Sequence, residues 1–150
     1  MSAAVVVRDA RPDDLEVVVG LLAAGSLRGG EQPGDLAPYR AALEEITASG
    51  DSAILVAETG GRVVGVCQLI TFRHLQQRGG RCAEIESMHV AAAVRSGGIG
   101  GVLVEAAVNR ARRMGCYRVQ LTSNKARSDA HRFYLAHGFE ASHEGFKRFL

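Results

Sequence analysis

Long hydrophobic runs are missing from this sequence. Stretches such as Val5-Val6-Val7 are strand-sized, far short of the roughly 18 residues that a membrane span requires. The first fourteen residues carry no basic leader and turn acidic, so no secretion signal is expected. Cysteine is scarce and odd in number. Cys67, Cys82 and Cys116 stand far apart with no C-x-x-C pair, which fits thiols that pack in a reducing cytoplasm. His74, His89, His131, His137 and His143 show no metal-ligand spacing, so no metal is expected. Repeats, low-complexity tracts and linkers are absent too. The net charge of only +2 argues against strong polyanion binding, and the basic residues lack the arginine–aromatic interleaving of a nucleic-acid surface.

What is present is an ordinary globular composition: 150 residues, 47% hydrophobic and 23% charged. A chain of this length forms one domain, 1–150, and buries roughly 70% of its unfolded surface without staples. The small net charge conceals an imbalance. Met1 to Glu58 holds ten acids against four bases, and Arg95 to Arg132 holds eight bases against two acids. Such a dipolar chain suggests an anionic ligand on one half and a cationic one on the other, unless the surface helices simply differ in charge.

The apolar run 3–7 reads as a strand. Pro12, followed by Asp13 and Asp14, marks a helix start, with Leu15, Val18, Val19 and Leu22 at helical spacing. A glycine-rich stretch, 25–35, precedes a second helix carrying Tyr39, Ala42, Leu43 and Ile46 and ending near Gly50. Extended segments follow at Ala53–Glu58 and Arg62–Phe72, separated by Gly60-Gly61. In the second, Val64, Val66 and Ile70 are expected on one face and Val63, Cys67 and Leu69 on the other. Arg78-Gly79-Gly80 turns the chain into a third, Cys82–Val90. Gly98 opens a long helix with Ile99, Val102, Leu103, Ala106 and Ala107 inward, and Gly115 stops it. A strand at Arg118–Leu121, a helix from Ser128 or Asp129 to Gly138, and a last strand or hairpin in Phe139–Leu150 complete one mixed α/β domain.

The most informative stretch is Val94-Arg95-Ser96-Gly97-Gly98-Ile99-Gly100-Gly101, between a strand and a helix. Glycines remove the Cβ atoms that keep a ligand from backbone N–H groups, and a helix N-terminus attracts phosphate. The plain alternative is a tight turn with close helix packing. A Walker loop would need Lys-Ser or Lys-Thr where Val102-Leu103 stands, and a dinucleotide fingerprint would end in a third glycine. Arg-x-x-Gly-x-Gly with Met88-x-Val90 seven residues ahead resembles instead the pyrophosphate motif of the GNAT superfamily of acetyl-CoA-dependent N-acetyltransferases. Ala130-His131-Arg132-Phe133-Tyr134-Leu135-Ala136-His137-Gly138-Phe139 is similar to that family's second motif. The likeness covers residues 84–139; Ala92 stands where many members carry proline.

The resemblance implies an α+β fold with a mostly antiparallel sheet, helices on both faces, and a splayed strand pair holding acetyl-CoA. By the same carry-over, the backbone around Met88, His89 and Val90 takes the pantetheine arm, and the Met88 N–H polarises the acetyl carbonyl. Arg95, Ser96, Gly97, Gly98, Ile99, Gly100 and Gly101 hold the pyrophosphate. Glu84 stands where several members place a base, and Tyr134 where many place the acid that protonates the thiolate. Asn124 and Phe133 fall among the residues around the CoA arm. The residues themselves add that Glu84 and Glu86 share a strand face, where paired carboxylates raise one another's pKa and attract a cationic amine; solvated strand charges are the alternative. Which of the two is the base stays open. His89 is a candidate proton relay, with a packed strand histidine as its alternative, and Lys125 and Arg127 could approach the CoA phosphates.

The expected reaction is acetyl transfer from acetyl-CoA to a primary amine of a small metabolite. A protein N-terminus or lysine is a second acceptor class, and a non-catalytic acyl-CoA sensor or interaction module a third reading. The ten-position spacing from Asn124 to Tyr134, Ala83-Glu84-Ile85 and Ser142-His143-x-x-Phe146 look like the aminoalkylphosphonate N-acetyltransferase branch. A phosphonate would need cations, for which Arg28, Arg73 and His74 are candidates. The 25–35 loop and the 73–81 turn are expected to wall the acceptor site. No nucleic-acid or membrane partner is expected; the oligomeric state is not readable from the sequence, and a homodimer, common in the family the motifs resemble, could form through the C-terminal strand.

Overall fold

Hairpin turns and alternating apolar residues build most of the sheet. The computed structural model describes residues 3–150. Strand β1 (Val5–Asp9) leads through a 3-10 turn (Pro12–Asp14) to α1 (Leu15–Gly25) and α2 (Ala37–Ser49). Then come β2 (Ser52–Thr59), β3 (Arg62–Arg73), a helical turn α3 (Gln76–Gly79) and β4 (Arg81–Val90). A second 3-10 turn (Ala92–Val94), α4 (Ile99–Arg113), β5 (Cys116–Leu121) and α5 (Ser128–Ala136) follow. The strands form one sheet in chain order. The first three pairings are antiparallel and β4–β5 is parallel, so α4 is the crossover that a parallel pair requires.

The main core lies between the sheet and α4, where Leu103, Val104, Ala107 and Ala111 meet Leu55, Cys67, Leu69, Ala83 and Ile85. Phe133 and Tyr134 of α5 pack on the same side, while Val18 of α1 packs with Val56 and Val66 on the other. Helices therefore cover both faces. Arg8 ties β1 to the turn and to β2, pairing with Asp14 at 2.8 Å and Glu58 at 2.9 Å. That network holds the Asp14 carboxyl below its usual range, chiefly through the Arg8 hydrogen bond.

Several expectations shift. The first strand spans 5–9 rather than 3–7, and Pro12 opens a 3-10 turn, with the α-helix beginning at Leu15. In β3, Val64 faces α4 with Cys67 and Leu69, while Val63 lies beside Val66. A bulge is the cause: the register passes from Ala57↔Gly65 to Glu58↔Val63, leaving Val64 unpaired and reversing the alternation. On α4, Val102 is exposed and Val104 buried, because the arc facing the sheet runs through Ile99, Leu103, Ala107 and Ala111. Residues 139–150 form no strand. They lack strict alternation, and their contacts are made by side chains: Lys125 with Glu144 at 3.2 Å, and Arg28 over the Phe149 ring at 3.6 Å. No helix among the described residues is long and apolar enough to cross a membrane.

Candidate active site

The site grows from a mismatch between neighbouring strands. Pairing of β4 with β5 ends at Ile85↔Leu121, yet β4 continues to Val90, still bonded to β3 through Val66↔His89 and Gly65↔Val90. The β5-facing edge of β4 is thus unpaired by β5 beyond Ile85. Within that stretch Ser87 and Met88 stand opposite the single Cys67, a second bulge, with Ser87 in the left-handed region at φ 53°. Strand backbone left without a ladder partner presents N–H and C=O groups for a ligand.

Immediately before the gap, Ala83 and Ile85 point into the α4 core, so Glu84 and Glu86 project to the opposite face. Burial, reinforced by the neighbouring Glu84, pushes the Glu86 pKa up, while Lys147 opposes the rise. Gln120 of β5, the register partner of Glu84, donates from Nε2 to Glu84 Oε2 at 3.0 Å. Glu84 and Glu86 are both half-buried, side by side on this face.

Beyond β4, Ser96 (φ 71°) and Gly98 (φ 79°) turn the chain into α4. Gly98 is the N-cap and makes no side-chain cap bond. The first intrahelical bond here comes from the Val102 N–H to the Gly98 carbonyl, so the N–H groups of Ile99, Gly100 and Gly101 have no partner four residues back. This is an anion-accepting helix start, and it fits the diphosphate of acetyl-CoA. The glycines also do something else. A Cβ on Gly100 would lie 3.3 Å from the Phe133 ring, and one on Gly101 would lie 2.9 Å from His137. These two let α5 lie against α4, so close helix packing and an anion cradle coexist in one motif. Arg95 donates through Nε to the Val90 carbonyl at 3.1 Å, which clips the loop to the end of β4.

Tyr134 is half-buried between Phe133 and Phe139, with ring centroids 5.2 and 5.7 Å away. Burial, first among its causes, raises its pKa, and its hydroxyl makes no hydrogen bond among the described residues. His89 packs onto α1 at Gly25, and burial, then Arg127 and Arg95, lowers its pKa, favouring the neutral ring. Asn124 is committed to an Asx turn, accepting the Ala126 N–H at 2.9 Å. Lys125 pairs with Glu144 at 3.2 Å, and Arg127 reaches the Gly25 carbonyl. Cys67 is buried and its thiol is pushed up to about 12. Among the described residues no three His, Cys, Asp or Glu side chains gather as a metal site.

The acidic and basic stretches meet at one ion pair among the described residues, Arg110 with Asp9, while Arg132 pairs with Asp129 inside the basic stretch and Arg118 donates to the Cys82 sulfur. Of the walls, the 73–81 turn lies at the end of β4 remote from the glycine loop, where His74 stacks on Tyr117 at 5.5 Å. The 25–35 loop meets the C-terminal segment through Arg28 and Phe149. That segment was expected as a last strand or hairpin and not as a neighbour of the 25–35 loop, and Gln120 escaped the sequence reading altogether. The one available signal for Gln120 was a polar residue between Val119 and Leu121 in an otherwise apolar strand.

A sheet whose one parallel pair parts beyond Ile85, an uncapped glycine-rich helix start and two carboxyls on one strand face together point to a class of acyl-CoA-using domains. The family model of the acetyltransferase (GNAT) family matches residues 23–139, and the chain belongs to that family. It is 36% identical over 95 residues to an aminoalkylphosphonate N-acetyltransferase of Salmonella typhimurium, covering 63% of this chain and 61% of that protein. It is 38% identical over 84 residues to glucosamine 6-phosphate N-acetyltransferase 1 of Oryza sativa subsp. japonica, covering 54% and 51%. The chain thus matches less than two thirds of either relative's length. A solved structure of a transcriptional regulator from Bacillus halodurans C-125 superposes with a TM-score of 0.92 at 37% identity, covering 98% of this chain and 100% of that one.

Proposed function

We propose that this chain transfers the acetyl group of acetyl-CoA to the primary amine of a small metabolite by direct attack. The observation that carries this reading is the half-buried Glu84 and Glu86 on one strand face, at the point where β5 leaves the edge of β4. Acetyl-CoA supplies the activated thioester. The first turn of α4 and the Ser96–Gly98 turn hold its diphosphate, and the unpaired edge around Met88 and Val90 takes its pantetheine arm. The Met88 N–H stabilises negative charge on the acetyl oxygen.

A primary amine with a pKa near 10 arrives protonated and must lose a proton before it attacks. Spacing alone suggested Glu84 as the base. Within the pair we assign the transfer to Glu86, because burial and Glu84 raise its pKa toward the working range of a base. Tyr134, kept protonated by burial and with its hydroxyl uncommitted, returns a proton to the departing thiolate.

Both named relatives act, by their names, on amines that also carry phosphorus oxyanions. We extend that class to the acceptor here. Arg28, at the 25–35 loop, and Lys147, whose charge is felt by Glu86, are the cations this requires. Arg73 and His74 are occupied at the far turn, Arg73 with the Gly79 carbonyl. Free-thiol release measured with aminoalkylphosphonates, amino-sugar phosphates and their phosphorus-free counterparts tests this. At least about tenfold higher kcat/KM for the phosphorylated or phosphonylated amines is expected, and equal values would remove the anion from the acceptor class.

A second reading, an acyl-CoA sensor, draws on the likeness to the Bacillus regulator. Acetyl-CoA binding with no thiol release on any amine would favour it.

A further inference from the structure

The sheet face that carries Glu86 also carries an apolar cavity of about 160 Å³, where α1 and α2 meet the strands. Val18 and Leu22 of α1, Leu43 and Ile46 of α2, and Ile54 and Val66 of the sheet supply its walls. Three polar side chains border it: Tyr39, Gln68 and Ser87. The Tyr39 hydroxyl accepts the Gln32 N–H at 2.8 Å, which leaves Gln68 and Ser87 as the polar end. An aliphatic cavity of about this size excludes water and admits one benzene-sized group.

The strand register ties that polar end to the candidate base. Ile54 pairs with Gln68, and Gln68 pairs with Glu86. The three side chains therefore form one row across the sheet, on one face, at the spacing of neighbouring strands. Ser87 follows Glu86 directly, and the bulge opposite Cys67 interrupts the alternation that would send it toward α4. Its φ of 53° is uncommon for a residue with a Cβ, and it leaves Ser87 exposed at the rim of the cavity. Strain of this kind gathers at binding sites, where the surroundings hold it in place. We propose that the cavity is a side-chain subsite of the acceptor, taking an aliphatic or small aromatic group carried on the amine-bearing carbon while the amine meets Glu86. The substrate class is thereby a primary amine with an apolar branch of about four to six carbons, its polar end left on the open side.

This subsite rests on the acetyl-transfer reading, but it can be tested apart from it. Free-thiol release is measured with primary amines whose amine-bearing carbon carries methyl or phosphonate on one side and, on the other, a branch lengthened from hydrogen to hexyl. With either group, kcat/KM should rise about fourfold per methylene to about butyl and fall beyond it. Ala42 of α2 lies at the exposed rim of the cavity. Ala42→Phe, which fills the cavity, should flatten the series, and Ile46→Ala, which enlarges it, should move the optimum to longer branches. A flat series in a chain that acetylates amines overturns the subsite. So does an optimum indifferent to both substitutions in variants that keep the wild-type circular dichroism. Methyl NMR of the unliganded wild-type protein titrated with benzene gives an answer with no amine and no variant. Shifts centred on the methyls of Val18, Leu22, Leu43, Ile46 and Ile54 are expected, and none there would make the cavity closed core and overturn the subsite. A chain that releases thiol with no amine yet shows those shifts would overturn the acetyl-transfer reading and leave an apolar ligand site standing.

Discussion

The imidazole of His89 lies so close over Gly25 that a Cβ on the glycine would be 1.9 Å from Nδ1. The last residue of α1 and a strand residue of the candidate site are thereby held together. Gly25 has no left-handed φ, so its requirement is space alone. Gly25→Ala is expected to destabilise the fold by about 1–3 kcal/mol through overpacking. Adding His89→Ala should recover much of that loss, since the clash then has no partner. Thermal denaturation of the two single variants and the double variant checks the cycle; strict additivity would break the link.

Tyr134→Phe removes the uncommitted hydroxyl and keeps the ring that packs on Phe133 and Phe139. Turnover is expected to fall about 10²–10⁴-fold with acetyl-CoA affinity nearly unchanged. Equal losses in both, measured by steady-state kinetics and calorimetry, would return Tyr134 to the core.

Asp14 accepts from Arg8 and from the Arg11 N–H, at 2.8 and 2.7 Å. Its pKa is lowered from the ordinary 3.8, so its contribution to stability is full above that value and is lost as pH falls through the depressed one. Asp14→Ala should cost about 2 kcal/mol at neutral pH, a fall in Tm of about 4–8 °C. Near pH 2 the gap between variant and wild type should narrow. A gap that widens in acid would reverse the sign.

Phe146, Phe149 and Leu150 are 92%, 63% and 117% exposed in the single chain, and β5 pairs with β4 alone. We expect a homodimer built on this segment and the open edge of β5. Sedimentation velocity should show a dimer for the full chain and a monomer for a chain ending at Ser142. A monomeric full chain at tens of micromolar would dismiss the expectation.

Local chemistry explains which features could be read in advance. Gly98 opens α4 as anticipated because a glycine before an apolar helical stripe has few other uses. Glu84 and Glu86 share a face because alternation survives over three residues. Over longer spans it failed at Val64, where pairing with β2 inserts a bulge that no residue of β3 announces by itself. Arg110 meets Asp9 across 101 positions, and such closures are invisible to a charge count taken along the chain. Gln120 escaped for the same reason: its importance lies in the register of a parallel pair, which depends on how α4 crosses over.

The unpaired end of β4 has a further consequence. The carboxyl pair and the glycine-rich helix start lie on one stretch of backbone, Glu84 to Gly101, with only the 3-10 turn Ala92–Val94 between β4 and α4. Its length is one part of a ruler. The distance from helix start to carboxyls is set jointly by this connection and by the packing of α4 on the sheet. A one-residue deletion in 91–97 would remove about 3.5 Å of chain, so that either α4 slides on the sheet or the turn that forms the helix start is rebuilt. In either case the two sites fall out of step with a ligand of fixed span.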